Sequence, residues 1–207
     1  MSAALDGARL KIERAEKHIR ELEREIHAYL ESRPYEVPRQ AQGAPEIIPI
    51  HGRVAPPPHL SCIVGDVVYN SRASLELVFW ALALETGPKD PDRDRISFPI
   101  FADQSKFAGA QDGFERYRPA GAIDVIEDVQ PFRTRNASLS VLRTLSNQDK
   151  HGFLTLAVIG VPGPEGPAGV VALKQSKGPP APVDALLHKV LRHISVDVLP
   201  KFEPLFS

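Results

Sequence analysis

The first thirty residues carry apolar side chains at a heptad spacing. Seven apolar positions are separated by alternating steps of four and three residues: Ala8, Ile12, Ala15, Ile19, Leu22, Ile26 and Tyr29. Glu, Lys and Arg fill almost every position between them. The narrow apolar stripe predicts one amphipathic helix over residues 1–33, ended by Pro34. Such a helix packs on its own domain or pairs with a second chain, and the short heptad run favours the first.

A long apolar segment follows the spacer Pro56-Pro57-Pro58. We expect a helix over Ser61–Glu85, capped near Ser61 and ended by the Gly-Pro pair that follows. Apolar residues occupy nearly all of its circumference, which is typical of a helix at the centre of a domain. Asp66, Asn70 and Ser74 interrupt the pattern at steps of four residues and form one polar stripe.

The second half of the chain alternates short helical patterns with β-like runs. Phe153–Ile159 and Gly169–Leu173 predict two strands, and Glu46–Val54 predicts an edge strand because Pro49 removes a backbone donor. Residues 174–182 resemble a linker to an amphipathic C-terminal helix over 183–199. The sequence therefore predicts a single α+β domain over residues 1–207, a mainly helical bundle around a buried central helix with a small antiparallel sheet.

Composition narrows the class of protein. The chain has 25 basic and 26 acidic residues, and its net charge of −1 argues against a general nucleic-acid surface but leaves a local basic patch open. Cys62 is the only cysteine, so the chain has no intrachain disulfide or multi-cysteine metal site. The N-terminus is charged and the longest apolar run is interrupted by charges, so we expect a cytoplasmic protein without a membrane span. No cofactor motif or metal-binding histidine pair is present, and we expect neither cofactor nor metal.

The densest polar segment, Leu145–His151, ends the helix that begins near Leu139. It places an amide, a carboxylate, an ammonium and an imidazole directly beside apolar core positions. At 100° per residue, Arg143, Asn147 and His151 share one flank of that helix. Asp149 falls on the buried face and therefore needs a partner, for which the sequence offers Lys150 across the turn, Arg72, or the Asn70 stripe of the central helix.

Three interpretations of this cluster stay open. In the structural one, Asp66 and Asn70 are buried and hydrogen-bonded to residues 147–151, which complete the end of the helix. In the catalytic one, His151 is a general acid or base that Asp149 orients. In the third, the cluster is a ligand-binding surface without chemistry. The candidate catalytic residues are His151, Asn147, Asp149 and Lys150, with Asp66, Asn70 and Arg143 in support.

Two stretches together resemble a family of bacterial proteins that is frequent in actinobacteria. They are Gly65–Glu76 and Leu145–His151, with further likeness in the N-terminal helix, at Phe98-Pro99-Ile100-Phe101 and at Gln130-Pro131-Phe132. The resemblance spans most of the chain and implies no particular activity. Members of that family carry an Asp-His pair in the central helix and an Arg after the Lys-His pair, where this sequence has Glu76-Leu77 and Gly152.

A more distant resemblance is to HEPN-like helical domains. Those domains are bundles that often dimerise, and many carry a motif for RNA cleavage without a metal, in which four to six residues separate an Arg from a His. Here seven residues separate Arg143 from His151. The sequence thus favours a non-catalytic binding or interaction protein that self-associates through the Ala8–Tyr29 helix or the C-terminal helix. The alternative is a HEPN-like, metal-independent ribonuclease that uses His151.

Overall fold

The computed structural model describes residues 3–33, 35–36, 51–52, 54–86, 96–115, 121–133, 137–152, 154–161, 168–174 and 180–206. The helices in these ranges are α1 (Ala3–Glu31), α2 (Pro58–Thr86), α3 (Gln104–Glu115), α4 (Ala122–Asp128), α5 (Ala137–His151), α6 (Val183–Arg192) and α7 (Leu199–Phe202). The strands are β1 (Tyr35–Glu36), β2 (His51–Gly52), β3 (Leu156–Val161), β4 (Ala168–Leu173) and β5 (Ala181–Pro182). The protein is mostly helical with a small three-stranded antiparallel sheet, which confirms the predicted α+β class.

The heptad stripe of α1 is buried in the protein's own core. All seven of its residues, from Ala8 to Tyr29, are at most 9% exposed. Helix α1 packs chiefly along α2 and also contacts α6. The apolar stripe of α1 therefore stabilises the bundle within one chain, because these side chains are removed from water without a second copy.

Helix α2 is the centre of the bundle, as its apolar circumference predicts, and it contacts α1, α5, α6 and α7. Its start differs from the prediction. The helix begins at Pro58, where a missing backbone N–H costs nothing because the first turn has no partner for it. Ser61 is not the cap: its hydroxyl donates to the carbonyl oxygen of Leu154 at 2.7 Å and ties α2 to the residues before β3.

The three-stranded sheet has the order β3-β4-β5. Strands β3 and β4 pair in antiparallel register from Leu156 opposite Leu173 to Val161 opposite Ala168. The sequence predicted that Glu46–Val54 is the third strand of this sheet. For the described strand His51–Gly52 this is wrong, because it pairs with Tyr35–Glu36 in a separate two-stranded sheet. The third strand is Ala181–Pro182, inside the predicted linker, and it lies at the sheet edge where proline is tolerated. Residues 46–50 lie outside the described ranges.

The C-terminal helix does not end at Pro200 as the sequence predicts. After α6 the backbone widens into a π-helical segment, His193–Val198, and continues directly into α7 with Pro200 in its first turn. A proline inside a regular α-helix would clash with the carbonyl one turn earlier, and the irregular segment before α7 provides the room. The π-helical segment buries His193, whose Nδ1 lies 2.9 Å from Oδ2 of Asp197.

The 96–101 segment has no regular secondary structure and enters the core beside α2. The ring of Phe98 packs edge-on between Phe79 and Phe202, with centroids 6.1 and 6.0 Å away. The buried side chain of Gln130 holds the segment from the other side: its Oε1 accepts from the Phe101 N–H at 2.8 Å and its Nε2 donates to the Pro99 carbonyl at 2.9 Å. These contacts fix the segment against α2, and it forms part of the wall of both cavities described below.

Candidate functional site

Helices α2 and α5 pack together where Gly65 faces Asp149. A Cβ atom placed on Gly65 would lie only 2.7 Å from Asp149 Oδ1, so the carboxylate occupies the space that any other residue at position 65 would need. Asp149 is partly buried, and it makes no hydrogen bond or ion pair with any side chain in the described ranges. Burial raises the pKa of this carboxyl, and the neighbouring Asp66 carboxylate raises it further.

The polar stripe of α2 does not form the predicted network with α5. Asn70 is buried as predicted, but its Nδ2 donates to the Asp66 carbonyl at 2.8 Å, along its own helix. The prediction that Asp66 is buried is wrong, since its side chain is exposed. A short amide side chain can satisfy itself on the carbonyl one turn earlier, and for this reason Asn70 needs no partner on α5.

The last turn of α5 faces solvent rather than a buried cluster. Asn147, Lys150 and His151 are all exposed, and so is Arg143 two turns earlier. His151 forms no hydrogen bond or ion pair with Asp149. Among the described residues, no buried hydrogen-bonded cluster therefore joins these side chains to α2, although Asn70, Ser71, Ser74 and Ser146 are buried in the helices.

A cavity of about 580 Å³, here called the apolar cleft, opens between α1, α2, α5 and the start of the 96–101 segment. Its volume falls within the range of about 300–1,000 Å³ that is typical of small-molecule sites. Its apolar walls are Val68, Ala73, Leu77, Trp80 and Ile96, and its polar side chains are Lys11, Tyr69, Arg72, Glu76, Ser146, Asp149 and Lys150.

The polar floor of the apolar cleft is built by the ion pair of Arg72 with Glu76. Arg72 Nη2 also donates to Ser97 Oγ at 2.9 Å and to the Phe98 carbonyl at 2.7 Å. Glu76 accepts from the Phe98 N–H at 2.7 Å and from the Ser97 hydroxyl at 3.0 Å. Burial lowers the pKa of Arg72, and Glu76 opposes that shift. The pair therefore fixes the 96–101 segment to α2 with charge-assisted hydrogen bonds.

A second cavity of about 480 Å³, here called the cationic groove, lies between α5, α3 and the 96–101 segment. Its charged lining residues are Arg72, Arg143 and Lys150, and none of its described lining residues is acidic. Asn147, Ser146 and Ser97 add neutral polar groups. The cationic groove adjoins the apolar cleft, because Arg72, Ser146 and Lys150 line both.

The structure brings some of the candidate residues together and separates others. Asp149 and Lys150 line the apolar cleft, whereas Arg143, Asn147 and Lys150 line the cationic groove. His151, Asp66 and Asn70 line neither cavity. Glu76 was missed as a site residue, and its signal in the sequence was an opposite charge four residues after Arg72 on an otherwise apolar helix. Arg72 was expected as a partner of Asp149, but its ion pair is with Glu76. Within the described ranges, no group of three or more His, Cys, Asp and Glu side chains is placed to hold a metal ion.

Comparison with known proteins assigns no ligand or activity to these cavities. No family model, no curated protein and no solved structure matches the chain. The resemblances carried by residues 65–76 and 145–151 therefore stay predictions. Among the described helices, none combines the length and the hydropathy that crossing a membrane requires.

Proposed function

We propose that the protein is a non-catalytic binding protein and that a small, partly apolar ligand occupies the apolar cleft. The observation that supports this most is the composition of the cleft: Leu77, Trp80 and Ile96 surround a polar floor in which Arg72 and Glu76 already satisfy each other. Concave apolar walls with a few fixed polar groups are the usual form of a small-molecule site. Burial of the ligand's apolar surface supplies the binding free energy.

The same geometry argues against acid–base chemistry by the predicted catalytic residues. His151 is exposed and lines neither cavity, and Asp149 lies against Gly65 rather than against the imidazole. General acid–base catalysis needs the proton-transfer group within hydrogen-bond reach of the substrate. Asp149 has a raised pKa inside the apolar cleft, but the described residues place no second acid or base in hydrogen-bond contact with it. This arrangement supports binding.

A preformed wall favours binding by the apolar cleft. The Arg72–Glu76 pair is fixed on Ser97 and Phe98, which directly follow Ile96, so these two polar side chains of the cleft need no ordering when a ligand arrives. Ordering mobile groups costs about 0.5–1.5 kcal/mol for each immobilised side chain, and a fixed wall avoids this cost.

An uncharged fluorescent probe tests the proposal. We expect N-phenyl-1-naphthylamine to bind with a saturable increase in fluorescence and a stoichiometry of one. Ala73→Phe should fill the apolar cleft and abolish binding. Leu84→Phe is the matched control, because Leu84 is an exposed residue of the same helix and lines neither cavity. Binding that persists in Ala73→Phe, with both variants folded by circular dichroism, would refute a ligand site in the cleft.

A HEPN-like ribonuclease is the second candidate function, and one observation favours it. Arg143, Asn147 and His151 lie at successive turns of α5, and all three are exposed. The test is cleavage of single-stranded RNA in EDTA by the purified protein and by His151→Ala. The binding proposal expects no cleavage by either protein. Robust cleavage that His151→Ala abolishes would replace the binding proposal with the nuclease.

Self-association is a further proposal, and it concerns surfaces outside the core. The heptad stripe of α1 is buried, so a partner would contact the outer face of that helix, where Leu10 is 63% exposed. The C-terminal helices offer Val196, which is 59% exposed in the π-helical segment. Sedimentation of the full chain beside Leu10→Glu and Val196→Glu would show which face, if either, holds two copies together.

A further inference from the structure

We propose that the cationic groove binds the oxyanion head group, a carboxylate or a phosphate, of the ligand whose apolar body fills the apolar cleft. This inference rests on the proposed binding function and names the chemical class of its ligand. The ligand would be an amphipathic anion that lies across the boundary shared by the two cavities.

The charges of the cationic groove are the first argument. Arg143 and Lys150 are exposed and form no ion pair with an acidic side chain in the described ranges. Arg143 is close enough to Arg72 to lower its pKa, so the two guanidinium groups repel each other across the groove. An anion placed between these cations would remove that repulsion and accept charge-assisted hydrogen bonds from them.

The neutral groups of the groove are the second argument. The Asn147 amide and the Ser146 hydroxyl line the same cavity as the cations, whereas the Ser97 hydroxyl there already donates to Glu76. Amide and hydroxyl donors beside guanidinium and ammonium groups match the several lone pairs of a carboxylate or phosphate. Arginine suits such heads in particular, because its planar fork can bind two oxygens at once.

The contrast between the two cavities orients the ligand. The apolar cleft contains the carboxylates of Glu76 and Asp149, which would repel an anionic head. The described lining of the cationic groove contains no carboxylate. Since Arg72, Ser146 and Lys150 lie on the boundary, one ligand can leave its apolar body beside Trp80 and extend its head toward Arg143.

Three ligands that share a naphthalene ring test the head-group preference: 1-naphthol, 1-naphthoate and 1-naphthyl phosphate, each measured at neutral pH by displacement of N-phenyl-1-naphthylamine. In the unmodified protein we expect at least one of the two anions to bind about tenfold or more tightly than naphthol, the gain expected from one charge-assisted hydrogen bond. The anion that binds more tightly identifies the head group as carboxylate or phosphate.

Variants assign this preference to the groove. Arg143→Gln changes a residue that lines the cationic groove and not the apolar cleft. It should lose most of the preference for the anion, while its affinity for naphthol stays within about twofold of the unmodified protein. Arg20→Gln on α1 removes the same charge from an exposed position outside both cavities and should keep the preference. If all three ligands bind equally to the unmodified protein, or if the preference is unchanged in Arg143→Gln, the head-group inference is wrong, whereas the proposed ligand site in the apolar cleft stands.

Two further outcomes are distinguishable. Failure of the probe and of naphthol to bind at all overturns the proposed function itself. A single-stranded RNA that binds through Arg143 and Lys150, with no preference among the naphthalene ligands, would make the groove a nucleic-acid surface and contradict the amphipathic anion.

Discussion

The Asp149 carboxylate lies against the backbone of Gly65, and a Cβ atom at position 65 would come within 2.7 Å of its Oδ1. The missing side chain of Gly65 leaves room for this carboxylate between α2 and α5. Asp149 also lines the apolar cleft, so the same contact helps to shape the proposed binding site. Packing against Asp149 thus explains why a glycine occupies position 65 inside a long apolar helix.

The Gly65–Asp149 contact predicts a strong coupling between two substitutions. Alanine is about 1 kcal/mol more favourable than glycine inside a helix, and in Gly65→Ala the displaced carboxylate should offset that gain. In an Asp149→Ala background, Gly65→Ala should raise the free energy of unfolding by about 1 kcal/mol. Urea denaturation of the four proteins measures the coupling. Additive effects would show that the carboxylate moves aside without cost.

Asp149 predicts a pH dependence of stability. Its pKa is raised in the folded protein from the ordinary value of 3.8, so the folded state holds this proton more tightly than the unfolded state. The stabilisation that comes from this bound proton is fully present below pH 3.8, and it is lost as the pH rises through the raised pKa of the folded state. Asp149→Asn should therefore be more stable than the unmodified protein at pH 7 and similar to it below pH 3.8. Melting temperatures that differ equally at both pH values would contradict this assignment.

The Arg72–Glu76 pair should be important for stability. Glu76→Gln leaves the mostly buried Arg72 guanidinium without its counter-charge, and we expect a loss of about 1–3 kcal/mol in the free energy of unfolding. Glu127→Gln is the matched control, because its ion pair with Arg133 is more exposed and should cost less than about 0.5 kcal/mol. Equal losses in the two variants would mean that the Arg72–Glu76 pair adds no more stability than an exposed ion pair.

The buried heptad stripe predicts that α1 is indispensable. A chain that starts at Pro34 would expose the apolar faces of α2 and α6 that α1 now covers, and it should lose cooperative thermal unfolding. Circular dichroism and sedimentation of this truncated chain give the answer. A truncated chain that unfolds cooperatively as a monomer, beside a dimeric full chain, would instead make α1 an oligomerisation arm.

His193 is buried, and replacing it should reduce the stability of the fold little. Among the residues that the structure describes, its Nε2 has no hydrogen-bond partner, while its Nδ1 contacts Asp197 at the surface. A buried nitrogen without a partner carries a desolvation penalty, so His193→Leu should change the free energy of unfolding by less than about 1 kcal/mol or raise it. Thermal unfolding would detect a large loss, which would indicate that the imidazole is essential to the π-helical segment.

The elements that the sequence predicted well are those with a local periodic signal. The stripe of α1, the apolar circumference of α2 and the cores of β3 and β4 each follow from spacing within one segment. The edge strand Ala181–Pro182 has only two residues and no such signal, and the π-helical segment before Pro200 depends on packing around it. Glu46–Val54 had the composition of a strand, but composition does not specify which ladder a strand joins.

The candidate site was predicted less well than the fold, for a related reason. Helical periodicity placed Asp149 on the inner face of α5, and the structure brings it to α2 as expected. Periodicity could not show that its neighbour would be the bare backbone of Gly65 rather than a hydrogen-bond donor. Nor could it show that α5 ends at the surface, which leaves His151 exposed. These features are set by contacts between segments distant in sequence.

The most direct test of a ligand site in the apolar cleft uses Trp80. The chain has one tryptophan, so its ¹H–¹⁵N correlation spectrum contains a single indole cross-peak, and Trp80 lines the cleft. On addition of N-phenyl-1-naphthylamine, this cross-peak should shift and saturate with the same dissociation constant as the probe's fluorescence. An indole cross-peak that stays in place while the fluorescence saturates would place the probe elsewhere and contradict the proposed function.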